Sequence, residues 1–430
     1  MGAMQATSDP ASNAPTRNGG TAHDSSVGSG TARGGSIGEV FIAFLRLGLT
    51  SFGGPIAHLG YFHEEFVVRR KWLDEKTYVD LVALAQFLPG PASSKVGIAL
   101  GLSRAGYAGA LAACTGFTAP SAIALVLFGY GVTSLHDALG SGWLHGLKVA
   151  AVAVVAQAVL TMMRTLAPDR ARATLAVAAA ALVLAAPSAL GQIGAIVLGA
   201  LVGLVAFRGA PPSDHVSLPH PVSRAVAVAA IVAFFAILIG LPLVVAVVPN
   251  HSLQLFEVFY RAGSLVFGGG HVVLPLLQAA VVPPGWVSND AFLAGYGAAQ
   301  AVPGPLFTFA AYLGTVMSPS PNGWAGAMLC LVAMFLPAFL LVIGPLPFWD
   351  ALRQRPAAQA ALRGVNAAVV GLLLAALYRP VWTSAIGNAG DFALAAAAFL
   401  LLFMWKTPPW LVVVFCALGG ALLALVPFAT

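Results

Sequence analysis

The sequence predicts an all-α polytopic membrane protein built from two inverted six-segment repeats joined by one extra transmembrane helix. Three observations predict it. Of 430 residues, 59% are hydrophobic and 8% charged, with a mean hydropathy of +0.88, a surface that a water-soluble chain of this length could not carry. Thirteen apolar segments lie at roughly 38–60, 79–101, 106–132, 147–164, 173–187, 190–207, 224–248, 254–281, 291–316, 323–348, 364–380, 390–405 and 409–428. One motif also occurs twice. Arg46, Gly53 and Gly54 match Arg261, Gly268 and Gly269 at an offset of 215, and Gln86 with Pro89-Gly90-Pro91 matches Gln300 with Pro303-Gly304-Pro305 at 214.

The elements follow in chain order. Residues 1–36 are rich in Gly, Ser, Ala, Thr and Asn without an apolar run, so they are expected to be a disordered tail, with no signal peptide before the first apolar segment. Residues 37–210 form the first repeat, 211–250 a linker carrying the connecting helix, and 251–430 the second repeat. The unpaired segment 224–248 turns the second six-segment half upside down relative to the first. Loop charges bear on the threading: Arg69, Arg70, Lys71 and Lys76 fall on the cytoplasmic side if the motif segments re-enter rather than cross, with the N-terminus inside. Such re-entrant backbone is tolerated where protein covers its free polar groups. Full crossings remain the alternative.

The glycine and proline clusters carry the chemistry. Glycine admits backbone angles closed to other residues and proline suits a first helical turn, so Phe52-Gly53-Gly54-Pro55, Pro89-Gly90-Pro91, Gly268-Gly269-Gly270 and Pro303-Gly304-Pro305 read as helix breaks followed by restarts. Each restart exposes N–H groups with partial positive charge, the device by which half-helices in transporters hold anions at mid-membrane. Ordinary kinks and close packing are the bland reading of the same residues. Arg46 and Arg261 lie within apolar segments, where an arginine faces a cavity, a partner such as Glu39 or Glu257, or snorkels. Ser93, Ser94 and Lys95 follow the first Pro-Gly-Pro and are expected to add hydroxyls and a charge; Thr308 stands at the matching place in the second repeat. Gln86 and Gln300 are candidate donors to an anion or to freed backbone. His58 and His271 flank breaks and read as structural or as proton carriers. Glu64, Glu65 and Asp74 read as a solvated loop face, and Lys148 and Asn366 occupy matching positions in the fourth segment of each half.

Phe52-Gly53-Gly54-Pro55, His58, Phe62-His63-Glu64-Glu65-Phe66, Trp72-Leu73 and Gln86-Phe87-Leu88-Pro89-Gly90-Pro91-Ala92-Ser93-Ser94 together resemble the chromate ion transporter family. The second repeat keeps Phe267-Gly268-Gly269-Gly270-His271 and Gln300-Ala301-Val302-Pro303-Gly304-Pro305, so the resemblance spans 38–428 and matches the long, two-domain form. It implies outward transport of chromate across a bacterial inner membrane and chromate resistance, with sulfate as the chemically similar oxyanion. Lys95 departs from the expected glutamine, and Gly270 stands where the first repeat has proline. The first repeat is therefore expected to carry more of the polar substrate chemistry. An anion channel is the rival from another class. No phosphate loop, cofactor, metal cluster or nucleic-acid surface is indicated; Cys114, Cys330 and Cys416 read as packing residues. A proton or an anion stays open as coupling partner, and a homodimer as assembly.

Overall fold

A computed structural model describes residues 35–139, 141–207, 221–267 and 269–425. The expected disordered tail falls almost wholly outside these residues, as do Gly268 and the first ten residues of the linker, 211–220. Every described element is helical, and the described residues form eighteen α-helices with short 3-10 and π turns. Long apolar runs with internal glycine and proline produce this pattern, because a backbone in lipid must satisfy its own N–H and C=O groups helix by helix.

Each of the four motif segments expected as one apolar stretch is two short helices separated by a break. Helix α1 (Ile37–Thr50) begins with Ser36 accepting the Glu39 N–H and buries Val40, Ala43, Phe44 and Leu47, the i, i+3, i+4, i+7 stripe of a helix with one packed face. It stops because Gly53 and Gly54 take φ of +99° and +80°. Helix α2 (Gly54–His63) restarts with proline in its first turn and runs into a π turn, Glu64–Arg69. Helix α3 (Glu75–Phe87), capped by Asp74, leads to the Pro-Gly-Pro break. The chain restarts as α4 (Ala92–Leu139), which is interrupted by non-helical angles at Ala105 and Gly106. Then come α5 (Gly142–Leu166), α6 (Arg170–Ala185) and α7 (Ala189–Ala206).

Helix α8 (Arg224–Val247) is the unpaired segment. It is apolar and long enough to cross a membrane, yet only 6% of its most apolar window is buried, so it lies against the outside of the bundle. The second repeat follows the same plan with α9 (His251–Leu265), α10 (Val273–Val281), α11 (Asn289–Ala299), α12 (Phe309–Val316), α13 (Gly323–Ile343), α14 (Trp349–Arg353), α15 (Pro356–Ala376), α16 (Thr383–Ala385), α17 (Ala389–Phe403) and α18 (Pro409–Leu425). Among the described residues, α4, α5, α8, α13 and α15, the last two with their following turns, reach the length and hydropathy of a membrane span.

The two repeats are interlocked. Helix α5 packs on α17 and α18, while its counterpart α15 packs on α6 and α7. Small residues make both contacts possible: a Cβ on Gly146 would lie 2.1 Å from the Cys416 oxygen, and one on Gly364 would lie 1.9 Å from the Gly199 oxygen. Such close approach is how helices associate where lipid offers no hydrophobic drive.

Candidate substrate-binding site

The four breaks meet. Gly90 N–H donates to the Val266 carbonyl at 2.6 Å, and Gly304 N–H donates to the Ser51 carbonyl at 2.9 Å. Ser51 and Val266 correspond between repeats, as do Gly90 and Gly304, so the second break of each repeat is tied to the first break of the other. Both glycines have left-handed φ, +101° and +94°. Free backbone groups that would be costly in hydrocarbon are thus satisfied across the repeat interface.

Beside this junction lies a cavity of about 70 Å³. A buried water needs roughly 10–15 Å³ by the same kind of measure, so the space accommodates a few waters or a compact ion. The first repeat contributes Gly53, Gly54 and Pro55, the start of α2; the second contributes Gly304 and Leu306, the start of the 3-10 turn that leads into α12. Two restarts from opposite repeats therefore border one space, with the orphan N–H groups of a helix start on either side. Gln157 of α5, His271 and Gln300 are its polar side chains. The Gln300 amide nitrogen is buried with no hydrogen bond of good geometry, its side chain interacting with the Tyr296 hydroxyl, which lies 2.7 Å from His271 Nδ1. A buried donor so weakly held beside two helix starts suits an anionic guest.

The other sequence candidates are placed differently. Lys95 is fully buried, but its ammonium donates to the Leu88 and Pro89 carbonyls, tying off the C-terminal end of α3. A donor there satisfies two carbonyls that the break leaves free. His58 Nδ1 is 3.3 Å from Ser93 Oγ behind the junction and the ring also interacts with the Ser51 backbone, while Ser94 Oγ and Ser51 Oγ are buried without a hydrogen bond of good geometry. Thr308, matching Ser94, donates its hydroxyl to the Pro305 carbonyl at 2.8 Å. None of Ser93, Ser94, Lys95 or Thr308 lines the 70 Å³ cavity.

Arg46 is exposed on α1 and does not reach the cavity. Glu39 pairs instead with Arg104 at 3.2 Å. Arg261 lies 3.2 Å from Glu257 on its own helix and borders a separate small cleft against α7 and α10. Gln86 is exposed. Phe52 packs near Trp410, at 6.4 Å between ring centres. Pro89, Pro91, Pro303 and Pro305 frame the breaks, and Gly269 and Gly270 shape the second repeat's first one. The polar side chains at the cavity thus come from both repeats, Gln157 from the first and His271 and Gln300 from the second.

Sequence reasoning did not single out Gln157 or Tyr296. The signal for Gln157 is a lone amide in the apolar middle of α5, and for Tyr296 a hydroxyl one turn before Gln300. Glu65 corrects the expectation of a solvated loop face: it is buried, with its carboxylate 2.6 Å from Arg70 Nε and 3.0 Å from Arg69 Nη1. Burial works to raise its pKa, but the two guanidinium groups outweigh it and hold the carboxyl below the usual range. Among the described residues no group of three or more His, Cys, Asp or Glu side chains is placed to hold a metal ion.

The family profile described as Chromate transporter matches residues 38–204 and 253–421, one match per repeat. The "Chromate transport protein" of Pseudomonas aeruginosa is 30% identical over 397 residues, covering 90% of this chain and 92% of that one. The "Probable chromate transport protein" of Synechococcus elongatus is 28% identical over 403 residues, covering 90% and 95%. The "Chromate transport protein" of Cupriavidus metallidurans is 27% identical over 402 residues, covering 91% and 94%. No solved structure matches the chain.

Proposed function

This chain belongs to the chromate transporter family, and from that premise we propose that it is a secondary transporter that moves chromate out of the cell by alternating access. The observation that carries the reading is the reciprocal tie between the breaks, Gly90 to Val266 and Gly304 to Ser51, beside a cavity bordered by a helix start from each repeat. Chromate is a tetrahedral dianion. Bound there, it would accept hydrogen bonds from the backbone N–H groups at the starts of α2 and the 306–308 turn and from the Gln300 amide, with Gln157 and His271 completing the wall.

The repeats have opposite orientations in this reading, with the N-terminus in the cytoplasm of a bacterial cell. The interlocked contacts of α5 with α17 and α18, and of α15 with α6 and α7, then exchange tightness as the site opens to one side or the other. Lys95 keeps the Pro89-Gly90-Pro91 break in shape through the cycle by holding the Leu88 and Pro89 carbonyls just past α3. Sulfate, with the same shape and charge, is the expected competitor.

The test is uptake of labelled chromate into inverted membrane vesicles under imposed pH gradients, with sulfate as competitor. Saturable uptake with counterflow supports an exporter. Non-saturating flux without counterflow replaces it with a channel, and flux of sulfate alone replaces the substrate.

A further inference from the structure

A second, larger cavity of about 670 Å³ opens where α5, α11 and α17 begin. Two ion pairs line it. Lys148 Nζ lies 3.0 Å from Asp290 Oδ1, and His145 Nε2 lies 2.8 Å from Asp391 Oδ1. Each pair joins α5 of the first repeat to a helix of the second, α11 or α17. The Asp391 side chain is 3% exposed and accepts the Gly387 N–H at 3.0 Å, whereas the His145 side chain is 33% exposed. A buried carboxylate is thus reached from cavity water through an imidazole.

Helices α5 and α11 run on to the central cavity. Helix α5 lines it with Gln157, nine residues beyond Lys148 and about 13 Å along the axis at 1.5 Å per residue. Between the two spaces the helices touch, since a Cβ on Gly297 would lie 2.4 Å from the Leu147 oxygen.

The repeats differ at the matching places. The alignment that pairs Lys148 with Asn366 sets Arg363 opposite His145; matching the caps Asp169 and Asn388 sets Arg172 opposite Asp391, and the offset of 214 sets Lys76 opposite Asp290. The α5–α17 contact carries a His–Asp pair; the matching contact of α15 with α6 carries groups that stay charged across the physiological range.

We infer that His145 and Asp391 form the binding site of a coupling proton, exchanged with water of the 670 Å³ vestibule. The inference rests on the transporter reading above. Any motion that parts α5 from α17 takes the carboxylate away from the imidazole and changes its hold on a proton, and by reciprocity the proton biases that motion. Charge supplies the link to substrate. With neutral imidazole the lining carries, among the described residues, Lys148, Asp290 and Asp391, a formal net of −1; protonation brings it to 0, removing a net repulsion of a dianion. Helix α18 contributes Gly420, Leu423 and Ala424 and no charge, and Arg379, on the turn packed against α5, is exposed and outside the lining.

The test uses the full chain in liposomes with a pH-sensitive dye inside, following chromate and proton flux together from about pH 5.5 to 8.5. Chromate takes up a proton of its own in this range, a background common to every variant, so the comparison is wild type against His145→Gln, which retains a donor toward Asp391, and Asp391→Asn. The expected result is a wild-type chromate rate that changes on the order of tenfold across the range beyond that background, the effect of one unit of proton affinity. Both variants should lose this response and their coupled proton flux. A His145→Gln protein with wild-type proton flux and pH profile overturns the assignment while leaving chromate transport standing. Wild-type liposomes that carry no chromate overturn the transporter reading and the proton site with it. Should both variants fail to assemble, proton uptake by detergent-solubilised wild type on adding chromate decides: no uptake beyond the background between about pH 5.5 and 8.5 overturns it.

Discussion

Replacing Gly304 by alanine tests the junction of the breaks most directly. Gly304 has φ +94°, and a Cβ there would lie 2.8 Å from Ser121 Oγ and 3.1 Å from the Phe117 oxygen. The left-handed angle alone costs an L-residue about 1–2 kcal/mol. Relieving the contacts requires moving the loop, which loosens the Gly304 to Ser51 hydrogen bond, worth about 0.5–1.5 kcal/mol net. The sum is about 2–4 kcal/mol once some displacement of α4 is included, a shift of roughly 30- to 700-fold against the native junction. Gly90→Ala is the internal control, because its only close neighbour is the Gly263 oxygen at 3.3 Å, leaving chiefly the cost of its angle. Ser121→Ala beside Gly304→Ala removes the nearer contact and leaves Phe117, so it should recover part of the loss. Thermal unfolding of purified protein and chromate flux at matched membrane abundance read the order: Gly304→Ala worst, the double variant next, Gly90→Ala mildest. Wild-type stability and flux in Gly304→Ala, or Gly90→Ala as the more damaging change, would refute the reasoning.

Gln300→Leu removes a buried donor aimed at the cavity, and losing a hydrogen bond to a charged group, about 1.5–3 kcal/mol, should raise the apparent KM for chromate roughly 10- to 150-fold at normal abundance. Lys95→Met leaves the Leu88 and Pro89 carbonyls buried without a donor, at about 1–3 kcal/mol each, and should abolish stable expression; Lys95→Gln, which keeps a donor, should be clearly milder by membrane abundance. Glu65 has its folded pKa below its unfolded value, so its contribution is fully present above the unfolded pKa and lost as pH falls through the folded one. Wild-type unfolding temperature should therefore drop below about pH 4.5 with a step that Glu65→Gln lacks. Thiol labelling of Ser288→Cys and Lys76→Cys in intact cells should show the first accessible and the second protected; labelling of both from one side would sink the inverted arrangement.

What the sequence made legible was the backbone. Glycine and proline act locally, on the residue that carries them, so the positions of all four breaks and the pairing of the repeats could be read from Gly53, Gly90, Gly269 and Gly304 without knowing their neighbours. The direction of a side chain is not local. Arg46 and Lys95 both read as charges in apolar sequence, yet the first is exposed at the flank of α1 and the second turns back onto the carbonyls of its own break. Nothing in spacing distinguishes a lysine that meets a ligand from one that ties off a helix end. The Asp290 and Asp391 carboxylates were hidden for a related reason. Each stands in the first turn of a helix, where an acidic residue is routinely a response to the helix dipole, and only the packing of α5 brings Lys148 and His145 to them.

The placement of the arginines outside the central cavity has a physical logic of its own. A transporter site must be empty for part of its cycle, and a desolvated guanidinium left without its anion carries a penalty of several kcal/mol. Helix starts and the Gln300 amide hold only partial charges, so leaving them vacant costs less, while the same groups gain charge-assisted hydrogen bonds when a dianion arrives. Weak donors in number also let the anion depart, which flux requires as much as binding. Full charge is accordingly kept off the central cavity: Arg46 is exposed on α1, Arg261 stands beside Glu257, and Lys148 beside Asp290 in the 670 Å³ cavity, so none of them becomes a trap in the middle of the proposed path.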